Sequence, residues 1–254
     1  MANDYFKFKH FIVHQQRCAM KVGTDGTLLG AWANAPENAC RILDIGTGTG
    51  LIALMMAQRF PKANVLGIDI DPEAVAQATE NVLNSPFSER IVVRHVDITQ
   101  FEDSDGFEAI VCNPPYFENA LTCPDVQRTT ARHMVNLSYK VLIQSVCKLL
   151  KRDGFFSVVI PSDCRQELES CARLEGLFPS RICKVRTTPK KEPKRQLIEF
   201  RKLAVNKLNI SEEILAPSRS SGRARRSSSP TAAPTSPTST PRRSRRSSPP
   251  ARRL

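Results

Sequence analysis

The 254-residue chain predicts an α/β fold built on a mostly parallel, seven-stranded sheet that ends in an antiparallel hairpin. Three observations carry this reading. From Arg41 onward, short apolar runs alternate with amphipathic stretches, the pattern of successive βα units. A glycine-rich turn, Asp44-Ile45-Gly46-Thr47-Gly48-Thr49-Gly50, follows the first apolar run and opens an apolar helical stretch. The last two runs are separated only by Arg186 to Arg195, whose two prolines and several lysines read as a hairpin loop.

Taken in order, the strands are expected at Arg41–Ile45, Asn64–Ile68, Ile91–Val96, Phe107–Cys112, Phe155–Ile160, Ser180–Val185 and Gln196–Lys202. Helices fall between them. The clearest are Leu51–Gln58, Glu73–Asn81 and Leu137–Leu150, where apolar residues recur at three- and four-residue steps. Pro72 suits the first turn of its helix and Asp71 its N-cap.

The chain is long enough for one substantial core, so one catalytic domain over 1–206 and a tail over 207–254 are expected, acting as a monomer. The net charge of +12 is uneven, because Ala216 to Leu254 carry ten Arg and no acid. Removing those ten leaves +2 for Met1 to Leu215, so overall charge says little about what the body binds. Eight cysteines show no C-x-x-C spacing and no His at ligand distance, which argues against zinc and against a disulfide framework. The first ten residues lack a secretory h-region, and no apolar run approaches the ~20 residues of a membrane span. A reducing cytoplasm and no membrane partner are expected.

The glycine turn has G-x-G-x-G spacing, unlike the G-x-G-x-x-G of dinucleotide sites, and an acid precedes it. Asp44 would repel a pyrophosphate but attract the cationic methionine end of S-adenosylmethionine, directly or through water. Gly46, Gly48 and Gly50 would let the ligand approach backbone N–H groups. Asp69 ends the second strand, where a carboxylate accepts from both ribose hydroxyls, and Asp97 follows the third, near the expected adenine.

At the end of the fourth strand stands Asn113-Pro114-Pro115-Tyr116, on the sheet edge where ligands of open α/β folds bind. The prolines stiffen the turn and direct the Asn113 side chain and the Pro114 carbonyl into one pocket. An exocyclic amino group on a base is a poor nucleophile while its lone pair is delocalised. Two acceptors on its N–H bonds favour a pyramidal nitrogen, and Asn113 and Pro114 supply them. Tyr116 is expected to stack on the extruded base. This chemistry needs no metal.

The tetrapeptide resembles that of N6-adenine and N5-glutamine methyltransferases. The segment Phe8 to Trp32, including Arg17-Cys18-Ala19-Met20-Lys21-Val22-Gly23-Thr24-Asp25-Gly26-Thr27-Leu28-Leu29-Gly30-Ala31-Trp32, resembles the N-terminal block of bacterial valine-tRNA adenine-N6 methyltransferases. Read alone, Gly23-Thr24-Asp25-Gly26 is a turn. The resemblance spans about Phe6 to Phe200 and implies a Rossmann-like class I methyltransferase fold. It also implies S-adenosylmethionine as cofactor, with Lys21, Gly23, Thr24 and Asp25 enclosing it. The implied reaction is methylation of the adenine immediately 3′ of the anticodon of valine tRNA.

The long segment Phe117 to His133 follows the catalytic turn directly, and Arg128, Arg132 and His133 are candidates for holding RNA phosphates. Lys184, Arg186, Lys190, Lys191, Lys194 and Arg195 form a second basic group around the terminal hairpin. The tail departs from the resemblance, since family members close with an aromatic-containing segment and nothing after Phe200 is aromatic. Two readings stand: a disordered arm that binds RNA nonspecifically, or a shifted reading frame.

Other functions compete. A glutamine-N5 protein methyltransferase usually carries a helical domain before the cofactor strand, where only 40 residues precede Arg41. A DNA or rRNA adenine-N6 methyltransferase shares the tetrapeptide, but DNA enzymes usually need a larger recognition region than Phe117 to His133. The G-x-G-x-G spacing disfavours a nicotinamide dehydrogenase, and the intact tetrapeptide disfavours a noncatalytic RNA-binding module.

Overall fold

Strands buried on both faces read as continuous apolar runs, and those runs form the centre of the sheet. The computed structural model describes residues 3–114 and 137–214. Tyr116, Arg128, Arg132, His133 and the chain after Ile214 lie outside the described residues. The elements in chain order are β1 (Tyr5–Lys7), β2 (Ile12–His14), α1 (Thr24–Trp32), β3 (Arg41–Ile45), α2 (Leu51–Arg59), β4 (Asn64–Asp69), α3 (Pro72–Leu83) and β5 (Ile91–His95). They continue with β6 (Phe107–Cys112), α4 (Tyr139–Leu149), β7 (Leu150–Pro161), α5 (Arg165–Leu174), β8 (Phe178–Arg186), β9 (Arg195–Arg201) and β10 (Asn209–Ile214).

The first two strands form a separate antiparallel hairpin, and the other eight form one sheet in the order β10-β8-β9-β7-β6-β3-β4-β5. From β5 to β7 every pairing is parallel. Strand β9 is inserted antiparallel between β7 and β8, as the hairpin reading expects. All seven predicted strands are present. The parallel order places the ends of β3, β4, β5 and β6 on one carboxyl edge, and the antiparallel β9 brings the 187–194 loop to that same edge.

Alternation along the central strands sends side chains to two cores. Ile42, Val65, Val111 and Val159 pack with Leu29 of α1 and its C-cap Ala33, Leu54 and Met56 of α2 and Val82 of α3. Leu43, Ile68, Ile110 and Val158 pack on the other face with Leu142 and Val146 of α4 and Leu168 of α5. Helix α3 is capped as expected: the Asp71 side chain accepts from the Glu73 N–H at 3.0 Å and Pro72 fills the first turn.

Two features differ from the sequence expectation. The segment Gly23 to Gly26, read alone as a turn, begins helix α1. Its glycines explain both the weak signal and the packing. A Cβ at Gly30 would stand 2.6 Å from Met55 Sδ, so the missing side chain is what lets α1 approach α2. The sheet also continues past the boundary read at 206, because β10 pairs in parallel with β8 over Asn209–Ile214. Every β10 residue is exposed, so this edge strand carries no alternating apolar pattern to read.

Candidate active site

The glycine turn joins β3 to α2 with Gly46, Gly48 and Gly50 at φ of +67°, +55° and +79°, a region that L side chains rarely adopt. The Gly46 and Thr47 N–H groups donate to the Ile68 carbonyl, and the Gly48 N–H donates to Asp69 Oδ2 at 2.8 Å. The turn is thereby clamped onto the end of β4. Nothing stands within 4 Å of where a Gly46 Cβ would lie, so the turn faces open space on that side.

Asp44 lies beneath this turn and is fully buried. Its Oδ2 accepts from the Thr47 hydroxyl at 2.7 Å and from the Ala53 N–H at 3.1 Å, which also caps the first turn of α2. Its Oδ1 is buried with no hydrogen-bond partner among the described residues. Burial pushes the Asp44 carboxyl up to about 7; the Thr47 and Ala53 donors oppose that rise, and the Asp69 charge adds to it. Asp44 is therefore an interior carboxylate poised to ionise near neutrality when a cation approaches.

Asp69 ends β4 half-buried, with Oδ1 accepting from the Asp71 N–H at 3.0 Å. Burial raises its pKa, and the Asp71 and Gly48 N–H groups hold it back. Each oxygen takes one backbone donor and keeps a lone pair for a further hydroxyl. Asp97 lies beyond β5, where the Val96 N–H donates to the Asp69 carbonyl. The Asp97 Oδ1 accepts from the Thr99 N–H at 2.8 Å, which fixes the turn.

Asn113 and Pro114 follow β6, one strand over from β3 and next to β7. Helix α1 lies directly against Asn113: a Cβ at Gly26 would meet Asn113 Nδ2 at 3.7 Å and Leu51 Cδ2 at 3.5 Å. Cys112, immediately before, is fully buried. Burial and the charges of Asp44 and Asp69 push its thiol well above its ordinary value, so it stays protonated and is no nucleophile.

The N-terminal block folds down the outside of α3 toward this edge. Asn81 holds His14 through both backbone groups at 2.8–2.9 Å, and Gln77 accepts from the Arg17 N–H. Burial, then Asp69 and Asp71, pushes the Cys18 thiol up to about 11, which marks where this segment passes the end of β4. The exposed Lys21 ammonium donates to the Gln15 and Gln16 carbonyls and so closes its own loop. Gly23 is the N-cap of α1, and Thr24 begins the helix.

Among the basic residues of the hairpin, Lys190, Lys191 and Lys194 are exposed at the carboxyl edge. Arg186 instead pairs with Glu212 of β10 and donates to the Lys191 carbonyl. Arg195, expected to meet RNA, pairs with Asp25, expected at the cofactor: Arg195 Nε lies 3.0 Å from Asp25 Oδ2. Sequence reading missed this pairing, and also missed Gly26 as the packing partner of Asn113. The Gly26-x-x-x-Gly30 spacing was the available signal for the latter.

These residues fit S-adenosylmethionine. A buried carboxylate oxygen lacks a partner, the glycine turn is open where a side chain would stand, and Asp69 keeps acceptor capacity for a diol. Among the described residues no cluster of three His, Cys, Asp or Glu side chains is placed to hold a metal.

The methyltransferase small domain family matches residues 25–178. A tRNA1(Val) (adenine(37)-N6)-methyltransferase of Bacteroides thetaiotaomicron is 50% identical over 201 residues, covering 79% of this chain and 84% of that one. The protein of the same name from Vibrio campbellii is 43% identical over 200 residues, covering 78% and 83%. Among solved structures, a predicted O-methyltransferase from Agrobacterium tumefaciens superposes with a TM-score of 0.55 at 22% identity, covering 76% of this chain and 86% of that one, a likeness of fold. The chain belongs to the methyltransferase small domain family and, within it, to the tRNA1(Val) (adenine(37)-N6)-methyltransferases.

Proposed function

We propose that this chain is a cytoplasmic, monomeric enzyme that methylates N6 of adenine 37 in valine tRNA, with Asn113 and Pro114 as the acceptors of the reacting amino group. The observation that carries the reading is the end of β6. Asn113-Pro114 opens there onto the carboxyl edge, one strand from the glycine turn and the Asp44 carboxylate. The seven described cysteines are all unpaired, which suits a reducing compartment.

S-adenosylmethionine, when bound, supplies a methyl group already activated on a cationic sulfur. The chain's own residues then have two tasks. Asp44 and the glycine turn receive the cationic end, and Asp69 accepts from the ribose hydroxyls. At the end of β6, the Asn113 amide oxygen and the Pro114 carbonyl accept the two amino hydrogens of the adenine. Those hydrogen bonds strengthen as the nitrogen becomes pyramidal and its lone pair localises, so they favour the transition state over the ground state. After attack the methylated amino nitrogen is cationic and acidic, so one of its protons passes to solvent water and no strong base is needed. Tyr116 stacks on the extruded base, and the exposed Lys190, Lys191 and Lys194 hold phosphates of the same RNA at the edge of the sheet.

The test is single-turnover transfer of labelled methyl to unmodified valine tRNA, with release factor and DNA assayed in parallel and the product identified by mass spectrometry. N6-methyladenosine in the tRNA is expected. Label on a release-factor glutamine, or in DNA alone, would overturn the reading.

A further inference from the structure

Helix α1 is anchored very differently at its two ends. Its last turn is fixed by two guanidinium groups on terminal carbonyls, where cations complement the helix dipole. Arg59 donates to the Gly30 and Ala33 carbonyls, while Arg181 donates to the Trp32 carbonyl at 2.8 Å and lies 3.9 Å from the Trp32 ring centroid. Its first turn has a glycine N-cap with no side-chain cap. Across that turn runs the ion pair between Asp25 and Arg195, joining residues 170 apart in the chain. Gly26, the next residue after Asp25, is the one packed against Asn113. Arg195 opens β9 opposite Pro161 and Val185, at the root of the loop that carries Lys190, Lys191 and Lys194.

We propose that Arg195 is a positioning residue for methyl transfer, holding the first turn of α1 against Asn113 through Asp25. The proposal rests on the adenine-methyltransferase reading for its consequence, but its geometry stands apart from the substrate. The side chains of the pair are 34% and 24% exposed, so its direct contribution to stability is modest. Its effect is on orientation, where a displacement on the order of 1 Å at a reacting group costs up to about a hundredfold in rate. A hairpin strand that also roots the lysine loop thus sets the floor of the catalytic turn.

The experiment compares Arg195→Gln, Asp25→Asn, their combination and Arg195→Lys in the full chain. Single-turnover transfer to valine tRNA at saturating RNA and cofactor is measured alongside tRNA affinity and hydrogen exchange. Each single variant is expected to lose about tenfold in rate with tRNA affinity nearly unchanged, and the double variant to lose no more than either. Arg195→Lys, which keeps the charge, is expected to recover most of the loss. Backbone amides from Thr27 to Leu29 should exchange faster in both single variants, while those of Ala31 to Ala33 stay as protected as in the parent. Multiplicative losses would overturn the proposal. So would an Arg195→Gln chain that binds tRNA more weakly but transfers at the parental rate, beside an unaffected Asp25→Asn. If the parental chain makes no N6-methyladenosine, the functional reading fails on its own, and unchanged exchange at Thr27 to Leu29 would still refute the coupling.

Discussion

The two halves of the carboxyl edge are built on opposite principles. On the β3–β4 side the groups are committed before any ligand arrives. Asp69 already takes two backbone N–H groups, Asp44 caps α2, and three glycines hold backbone angles that only the turn requires. On the β9–β8 side the cations are surface lysines on a loop, and two arginines beside them are spent on internal partners, Asp25 and Glu212. A small cofactor of fixed shape rewards a preformed cradle, because nothing has to be ordered on binding. A long polyanion rewards loosely held charge, because release of counterions supplies the affinity.

The contrast is tested most severely where the halves meet. On the proposed mechanism, Asn113→Ala removes an acceptor that gains strength only in the transition state. Single-turnover transfer should fall on the order of 10²–10³-fold, as on removal of one oxyanion-hole donor, while tRNA and cofactor affinities change little. Transfer at the parental rate would take Asn113 out of the chemistry. One step down, Asp69→Ala should weaken S-adenosylmethionine binding by ~1–3 kcal/mol in calorimetry, because two hydroxyls lose a charged acceptor. The Gly48 N–H that Asp69 now receives would be left open as well. Unchanged cofactor affinity would show that the cradle is set by the glycines alone.

The lysine side should respond to salt where the cradle does not. Replacing Lys190, Lys191 and Lys194 with Gln should weaken tRNA binding about tenfold at low ionic strength. It should also reduce the slope of log affinity against log salt by about one for each phosphate that is no longer neutralised, with cofactor affinity unchanged. An unaltered slope would mean that the loop does not touch the RNA backbone.

The same contrast explains what could be read from the sequence. The glycine turn was legible because it is local: the backbone demands glycine at positive φ. The central strands β3, β6 and β9 were legible because burial on two faces leaves apolar runs, whereas β5, at the edge of the sheet, buries only Ile91. Helix α1 was not, since the glycines that let it pack on α2 are poor helix formers. Helix α5 was not singled out either, because among its ten residues only Leu168 and Ala172 are buried and the apolar stripe is narrow. The Asp25–Arg195 pair lies beyond any local rule, as it exists only once β9 is threaded between β7 and β8.

The smallest expected effect concerns protons on the cradle side. Burial holds the Asp44 carboxyl near 7 in the folded chain, above the ordinary aspartate value. Folding therefore binds a proton between about pH 4 and pH 7, and the stability this contributes at low pH is lost as pH rises through 7. A cationic cofactor favours the ionised form, so its binding should release a proton when the pH is below 7 and tighten as the pH rises. Between pH 6 and pH 8 the ionised fraction of such a group grows about tenfold, which caps the gain in affinity; a fewfold change is expected. Calorimetry in buffers of different ionisation enthalpy would count the proton directly. In Asp44→Asn, affinity should lie near the parent's low-pH value and vary little from pH 6 to 8, while binding releases no proton. A parent whose affinity is flat across that range would mean that Asp44 serves α2 and the turn alone, and that the cationic end is received elsewhere.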